Sequence, residues 1–130
     1  MSHFQRIRTQ IRERDQLTQA LSDLHFQYKE AESLVVRGFV GRTEKAEIVV
    51  DTGCAYDIGF QKKGETFEVV ADWWGVERGS QLREVSFLQQ VQRQYAYNVV
   101  KDQAREQNWI IEEERTLENG ELVILFADRG

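Results

Sequence analysis

Residues 80–107, SQLREVSFLQQVQRQYAYNVVKDQAREQ, decide the fold. Leu82, Val85, Leu88, Val91, Tyr95 and Val99 recur in steps of three or four, the period of an amphipathic helix. Gly79 closes the preceding loop, and Ser80 is a suitable N-cap. At about 1.5 Å per residue such a helix runs roughly 40 Å. A compact chain of this length is only roughly 35 Å across. The helix therefore spans the molecule, and the rest of the chain has to wrap around it.

Working outward, residues 15–24 place Leu17, Ala20, Leu21 and Leu24 at helical spacing behind Asp15, which predicts a short helix. Residues 4–9, 26–30, 34–39, 46–51, 56–61, 66–73, 109–114 and 121–126 are short and rich in β-branched or aromatic side chains, which predicts strands. Lys63-Gly64 and Asn119-Gly120 are hairpin signals, the second as a two-residue turn in which both positions accept positive φ. The chain has no proline, so proline linkers are excluded. Helix and strands together predict one α+β domain over residues 1–130, with a mostly antiparallel sheet packed on the long and short helices. Each helix is followed at once by an aromatic-led strand, Phe26 in one case and Trp109 in the other, and shared patterning explains the echo as well as duplication does.

The 130 residues carry 17 Lys and Arg against 22 Asp and Glu, a net charge of −5. That balance disfavours nucleic acid, whose phosphates need a clustered positive surface. A single cysteine excludes an internal disulfide framework and fits a reducing compartment. The longest apolar run, residues 122–127, is far short of the roughly 20 residues of a membrane helix, so no membrane insertion is expected. The N-terminal residues show neither a signal-peptide apolar stretch nor a myristoylation glycine. Residues 1–14 are basic and residues 106–130 acidic. This asymmetry either steers a charged partner or is neutralised by the two ends lying side by side in the sheet, the second being favoured.

Groups able to do chemistry are few. Ile48-Val49-Val50-Asp51-Thr52-Gly53 has the form in which aspartic proteases present a carboxylate, and one copy per chain would require a dimer to complete the dyad. Against that stands the long helix in a chain that such a fold would make almost wholly β, so a turn between strands is favoured. Cys54 has no neighbouring histidine to activate it. His3 and His25 lie far apart, without a second His or Cys at ligand spacing, so no metal is expected. The glycines form no phosphate-binding pattern, so no cofactor is expected. Asp51, Cys54, Asp57 and Asp72 remain as candidates to line a small-molecule pocket between the long helix and the sheet.

Aromatic residues are the better lead. Trp73 and Trp74 are both interaction candidates: in a strand they face opposite ways, so that one can enter the core while the other looks to solvent or a partner, the alternative being that the loop folds back and the long helix covers both rings. Beside Gly75, an exposed tryptophan is the sort of anchor that interfaces use. Tyr97 lies off the apolar stripe of the long helix and, with Phe87, is a candidate second contact patch.

Several of these stretches together resemble the hypothetical chloroplast reading frame 35 family, or domain of unknown function 1257. They are Ser2-His3-Phe4-Gln5-Arg6-Ile7, Tyr56-Asp57-Ile58-Gly59-Phe60, Ala71-Asp72-Trp73-Trp74-Gly75-Val76, Gln94-Tyr95-Ala96-Tyr97 and the Asn119-Gly120-Glu121-Leu122 hairpin leading into Val123-Ile124-Leu125-Phe126. The family occurs in cyanobacteria and algal plastid genomes. The resemblance implies a soluble protein of a cyanobacterial cytoplasm or plastid stroma, and brings no catalytic residue. A non-enzymatic interaction or assembly module, binding another protein or a second copy of itself, is the favoured function. A small-molecule binder or enzyme is the alternative, and the dimeric protease a remote one.

Overall fold

The computed structural model describes residues 3–39 and 41–128; Ser2 of the opening hexapeptide lies outside them. The elements in order are β1 (Gln5–Arg8), α1 (Arg14–Asp23), β2 (Gln27–Arg37), β3 (Thr43–Asp51), β4 (Ile58–Lys63), β5 (Thr66–Ala71), α2 (Trp73–Gly79), α3 (Glu84–Glu106), β6 (Trp109–Thr116) and β7 (Leu122–Asp128). β1 to β5 form a five-stranded antiparallel sheet in the order β1-β5-β4-β3-β2, and β6 and β7 form a separate two-stranded sheet. The expected α+β class stands.

The main core lies between one face of the five-stranded sheet and the helices. Ile48 and Val50 of β3, Ile58 and Phe60 of β4, and Phe67, Val69 and Ala71 of β5 meet Leu17 and Leu21 of α1 and Phe87 and Val91 of α3. Alternation along each strand sends these residues to one side, as a half-buried sheet requires. Phe87 is the hub, with Phe26, Phe60 and Trp73 rings at 5.2–6.3 Å, the spacing of favourable aromatic pairs.

α3 differs from its expected form in two ways. It starts at Glu84 rather than Ser80, and its first turn is capped by the Glu77 carboxylate, which accepts from Glu84 N–H at 2.8 Å. Ser80 instead ends α2, donating to the Val76 carbonyl at 2.7 Å. The buried face is also rotated: Phe87, Val91, Asn98 and Ala104 are buried, whereas Val85 is exposed. The rotation follows from α3 packing on α1 and the β6–β7 hairpin as well as on the sheet, which Phe87 and Val91 meet in the main core.

α1 is held by α3. The Tyr95 hydroxyl accepts from Arg12 N–H at 3.0 Å and Glu13 N–H at 2.9 Å, just ahead of the first turn. Glu13, not Asp15, is the N-cap residue. Buried Asn98 donates to Asp23 at 3.1 Å, which ties the other end of α1 to the same helix. Both α1 and α3 stop at a left-handed residue, His25 (φ 65°) and Asn108 (φ 58°), types that tolerate that conformation. The echo of helix followed by aromatic strand is thus real in local geometry, although its two hairpins lie in different sheets.

The two strands expected over residues 26–30 and 34–39 are one strand, β2, with a bulge between Glu30 and Leu34. Beyond the bulge the β2–β3 hairpin turns over the sheet face opposite the helices. There Val36, Ala46 and Val70 are buried apart from the main core. A Cβ at Gly59 would lie 2.5 Å from Val36 Cγ2 and 2.9 Å from Ala46 Cβ, so glycine makes room for the arm. Arg6 of β1 reaches Glu44 on the arm at 3.0 Å, and Gln61 of β4 donates to the Lys45 carbonyl at 2.9 Å. Covering this face explains how so short a chain uses both sides of its sheet.

Among the described residues the first strand and the last two strands do not pair with each other. β1 lies against β5, and its Arg6 meets Glu44 and Glu68, while among the described residues the acidic β6 pairs only with β7. Lys63 opposes Thr66 across a two-residue loop with Gly64 at φ 65°, as expected for a tight hairpin. The Asn119-Gly120 turn is longer than expected: only Gly120 has positive φ, and Leu117 N–H bonds the Glu121 carbonyl at 2.8 Å around a three-residue loop.

Candidate functional site

Trp73 and Trp74 do not end a strand; β5 stops at Ala71 and both open α2. Asp72 drives the change. Its carboxylate accepts from Gly75 N–H at 3.4 Å, capping the helix, and from Phe39 N–H at 3.3 Å on the β2–β3 arm. The two rings nevertheless part as they would in a strand, so of the two interaction candidates Trp73 is removed by burial and Trp74 is left. Trp73 is buried at 3% exposure against Phe87, and Trp74 is 44% exposed with the Arg78 guanidinium 4.4 Å above its ring. Burial of Trp73 leaves its indole N–H without an acceptor among the described residues, which carries a desolvation cost. Gly75 sits inside the helix rather than in a loop. The Tyr56 ring lies directly where a Cβ would be, so α2 is clamped from outside as well.

Asp57 is buried and fully engaged by Arg37. Arg37 Nε donates to Oδ2 at 2.9 Å and a terminal nitrogen donates to Oδ1 at 2.8 Å, while Arg37 backbone N–H adds a third bond at 2.9 Å. Asp57 N–H returns a bond to the Arg37 carbonyl at 3.0 Å. The hydrogen bond to Asp57, followed by its charge, holds the Arg37 guanidinium even more firmly protonated than usual. Arg37 also donates to the Cys54 carbonyl at 3.1 Å. This cluster latches the arm to the loop before β4. Two of the four pocket candidates, Asp57 and Asp72, are therefore bonded into the arm's attachment.

Asp51 caps its own turn, accepting from Gly53 N–H at 2.8 Å. Gly53 takes φ 82°, which a side chain would resist. The Cys54 thiol is half-buried, within 3.1 Å of the Thr52 hydroxyl, and packs against Gly79.

The space between long helix and sheet, where a pocket was expected, is filled by the core. Asp51 and Asp57 instead share a cleft of about 560 Å³ on the opposite side, inside the bend of the β2–β3 hairpin, together with Tyr28, Lys29, Arg37 and Val49. Cys54 and Asp72 do not line it. The signal that could have located this cleft is the charged interruption Glu30-Ala31-Glu32-Ser33 inside an otherwise strand-like run, where the bulge lies.

Phe87 and Tyr97 do not form a patch, because Phe87 is central to the core. The Tyr97 hydroxyl donates to Glu114 of β6 at 2.7 Å, and Lys101 lies 5.1 Å from its ring. Burial, then the bond to Glu114, push its pKa up to about 12. Sequence reasoning missed the exposed apolar residues of the last hairpin: Trp109, Ile110, Leu117, Leu125 and Phe126. Leu125 lies on the side away from α3, whereas Trp109 and Phe126 share the side of Ile124 and pair with each other, ring centroids 5.6 Å apart.

Among the described residues no helix is long and apolar enough to cross a membrane. The protein is similar to "Uncharacterized protein ycf35" of Guillardia theta, at 32% identity over 126 residues, covering 92% of this chain and 91% of that one. A protein with the same description from Cyanophora paradoxa is 27% identical over 103 residues, covering 79% of this chain and 78% of the other. No solved structure matches. The model of a protein of unknown function, DUF1257, matches residues 20–125, from within α1 to within β7. With that match across most of its length, the chain belongs to the DUF1257 family.

Proposed function

We propose that the protein is a non-enzymatic interaction or assembly module of a cyanobacterial or plastid setting, with Trp74 anchoring another protein. The setting rests on the family. The observation that carries the role is the contrast between two neighbours: Trp73 locks α2 into the core, and Trp74 is presented outward with its ring held by Arg78. A large amphipathic ring fixed before binding loses little entropy on contact, which is what anchors at interfaces have in common. By contrast, Asp57 and Asp72 carry structural bonds, and Asp51 is used in its own turn.

A cross-linked affinity capture from a cyanobacterial lysate tests the anchor, with Trp74→Ala, shown to melt like the wild type, as control. A partner held by the wild type and lost with Trp74→Ala supports the proposal. A partner held equally by both moves the interface elsewhere, and no partner at all favours the alternative. That alternative, a small-molecule site, has one observation behind it: the hairpin-bend cleft joins Gln27, Lys29 and Asp51 over an apolar floor that includes Val49. A thermal-shift screen of metabolites, repeated with Lys29→Ala, is its test.

A further inference from the structure

We propose, resting on the small-molecule reading of the cleft inside the β2–β3 bend, that it takes a zwitterion with an apolar body, an apolar α-amino acid. The bulge between Glu30 and Leu34 bends β2, so that residues on both sides of it look into one space. Side chains two apart along a strand share a face. Gln27 and Lys29 before the bulge, Val35 and Arg37 beyond it, and Val49 and Asp51 of β3 accordingly line the same cleft. Its volume of about 560 Å³ falls inside the roughly 300–1,000 Å³ of small-molecule sites. Leu34, Val35 and Val49 give it an apolar lining, and Val35 is left 49% exposed, so covering it is favourable.

The lining holds two cations and two carboxylates, and they are not engaged alike. Arg37 and Asp57 neutralise each other as a bidentate pair and close one wall. Lys29 and Asp51 remain: among the described residues neither belongs to an ion pair. Asp51 uses Oδ1 to accept from Gly53 N–H at 2.8 Å, and a carboxylate has about four acceptor positions, so a second donor can still be taken. Gln27 lies opposite Asp51 and Lys29 opposite Val49. The ammonium and the carboxylate thus stand diagonally across the two strands, a separation of roughly 7–8 Å at the backbone, with Val49 beside both. A neutral apolar ligand would strip water from the two charges and offer nothing in exchange. An anion would satisfy Lys29 and be repelled by Asp51, and a cation the reverse. A carboxylate turned to Lys29, an ammonium turned to Asp51 and an apolar side chain on Val35 and Val49 answer every feature of the lining together.

Amide NMR of the full chain titrated with L-leucine tests the site, and saturable shifts centred on residues 27–29, 34–37 and 49–51 are expected. Three analogues each lack one feature: 4-methylpentanoate the ammonium, 3-methylbutylamine the carboxylate and glycine the apolar body. Each should bind at least about tenfold more weakly than leucine, a loss of about 1.4 kcal/mol. Lys29→Met and Asp51→Asn should weaken leucine by a similar factor. Lys29 is exposed, and asparagine keeps an acceptor for Gly53 N–H, so both variants should melt like the wild type. Lys29→Met should not weaken 3-methylbutylamine, nor Asp51→Asn 4-methylpentanoate, a split that general damage to the cleft would not produce. Should either variant unfold, the analogue series on the unaltered chain decides. No saturable shift with leucine, shifts centred elsewhere, or variants that bind leucine as the wild type does overturn the proposal. An analogue that binds in the cleft as tightly as leucine overturns the zwitterion and leaves the small-molecule reading standing, so the two fail separately. Trp74 does not line the cleft, and Trp74→Ala should leave leucine binding unchanged.

Discussion

Arg37 shows how one side chain can decide whether two parts of the chain stay together. Its fork meets both oxygens of buried Asp57, and its backbone exchanges two further bonds with the same residue. Arg37→Ala removes the guanidinium but leaves the carboxylate buried, and should lower unfolding stability by about 2–3 kcal/mol in urea titrations. Arg37→Lys should recover little of it, because a point charge cannot satisfy two parallel acceptors. Tyr97 makes a second prediction at this scale. Its folded pKa, about 12, lies above the ordinary 10.0, so its contribution is fully present below pH 10 and is lost as pH rises from there toward 12. One of the four tyrosines should ionise late in an ultraviolet titration, and the alkaline fall in stability should be shallower in Tyr97→Phe. None of these pairings was visible in the sequence, where Arg37 and Asp57 stand twenty residues apart with no local pattern joining them.

Elements were more legible than contacts. The period of α3 was plain because apolar residues on a helix keep their spacing whatever they pack against, but the buried side was not, since Phe87 and Val85 are equally apolar and only the neighbours choose between them. α2 was missed because Trp and Val favour strands, and the buried Asp72 cap and the Tyr56 ring overrode that preference. The β2–β3 arm depends on a single absent side chain. Gly59→Ala should destabilise by about 1–3 kcal/mol through collision with Val36 and Ala46. Val36→Ala in the same chain should return part of that loss, a coupling measurable in a double-mutant cycle. Equal and additive losses would mean the arm does not rest on Gly59.

Across the molecule, stability is unevenly shared. The five-stranded sheet is covered on one face by helices and on the other by the arm, whereas among the described residues the β6–β7 hairpin packs mainly on α3. Amide hydrogen exchange should therefore show β6 and β7 opening at lower free energy than β4 and β5, which lie at the centre of the large sheet. Uniform protection across both sheets would contradict it. Composition, period and turn residues by themselves determined the α+β class, the long helix, most strands and the family, because all of these are written in local spacing and residue type. Tertiary structure alone decided which Trp is exposed, that Asp57 and Asp72 hold the arm, where the cleft lies, and that the final hairpin stands apart. Each depends on residues distant in sequence competing for the same buried space, and no local pattern records who wins.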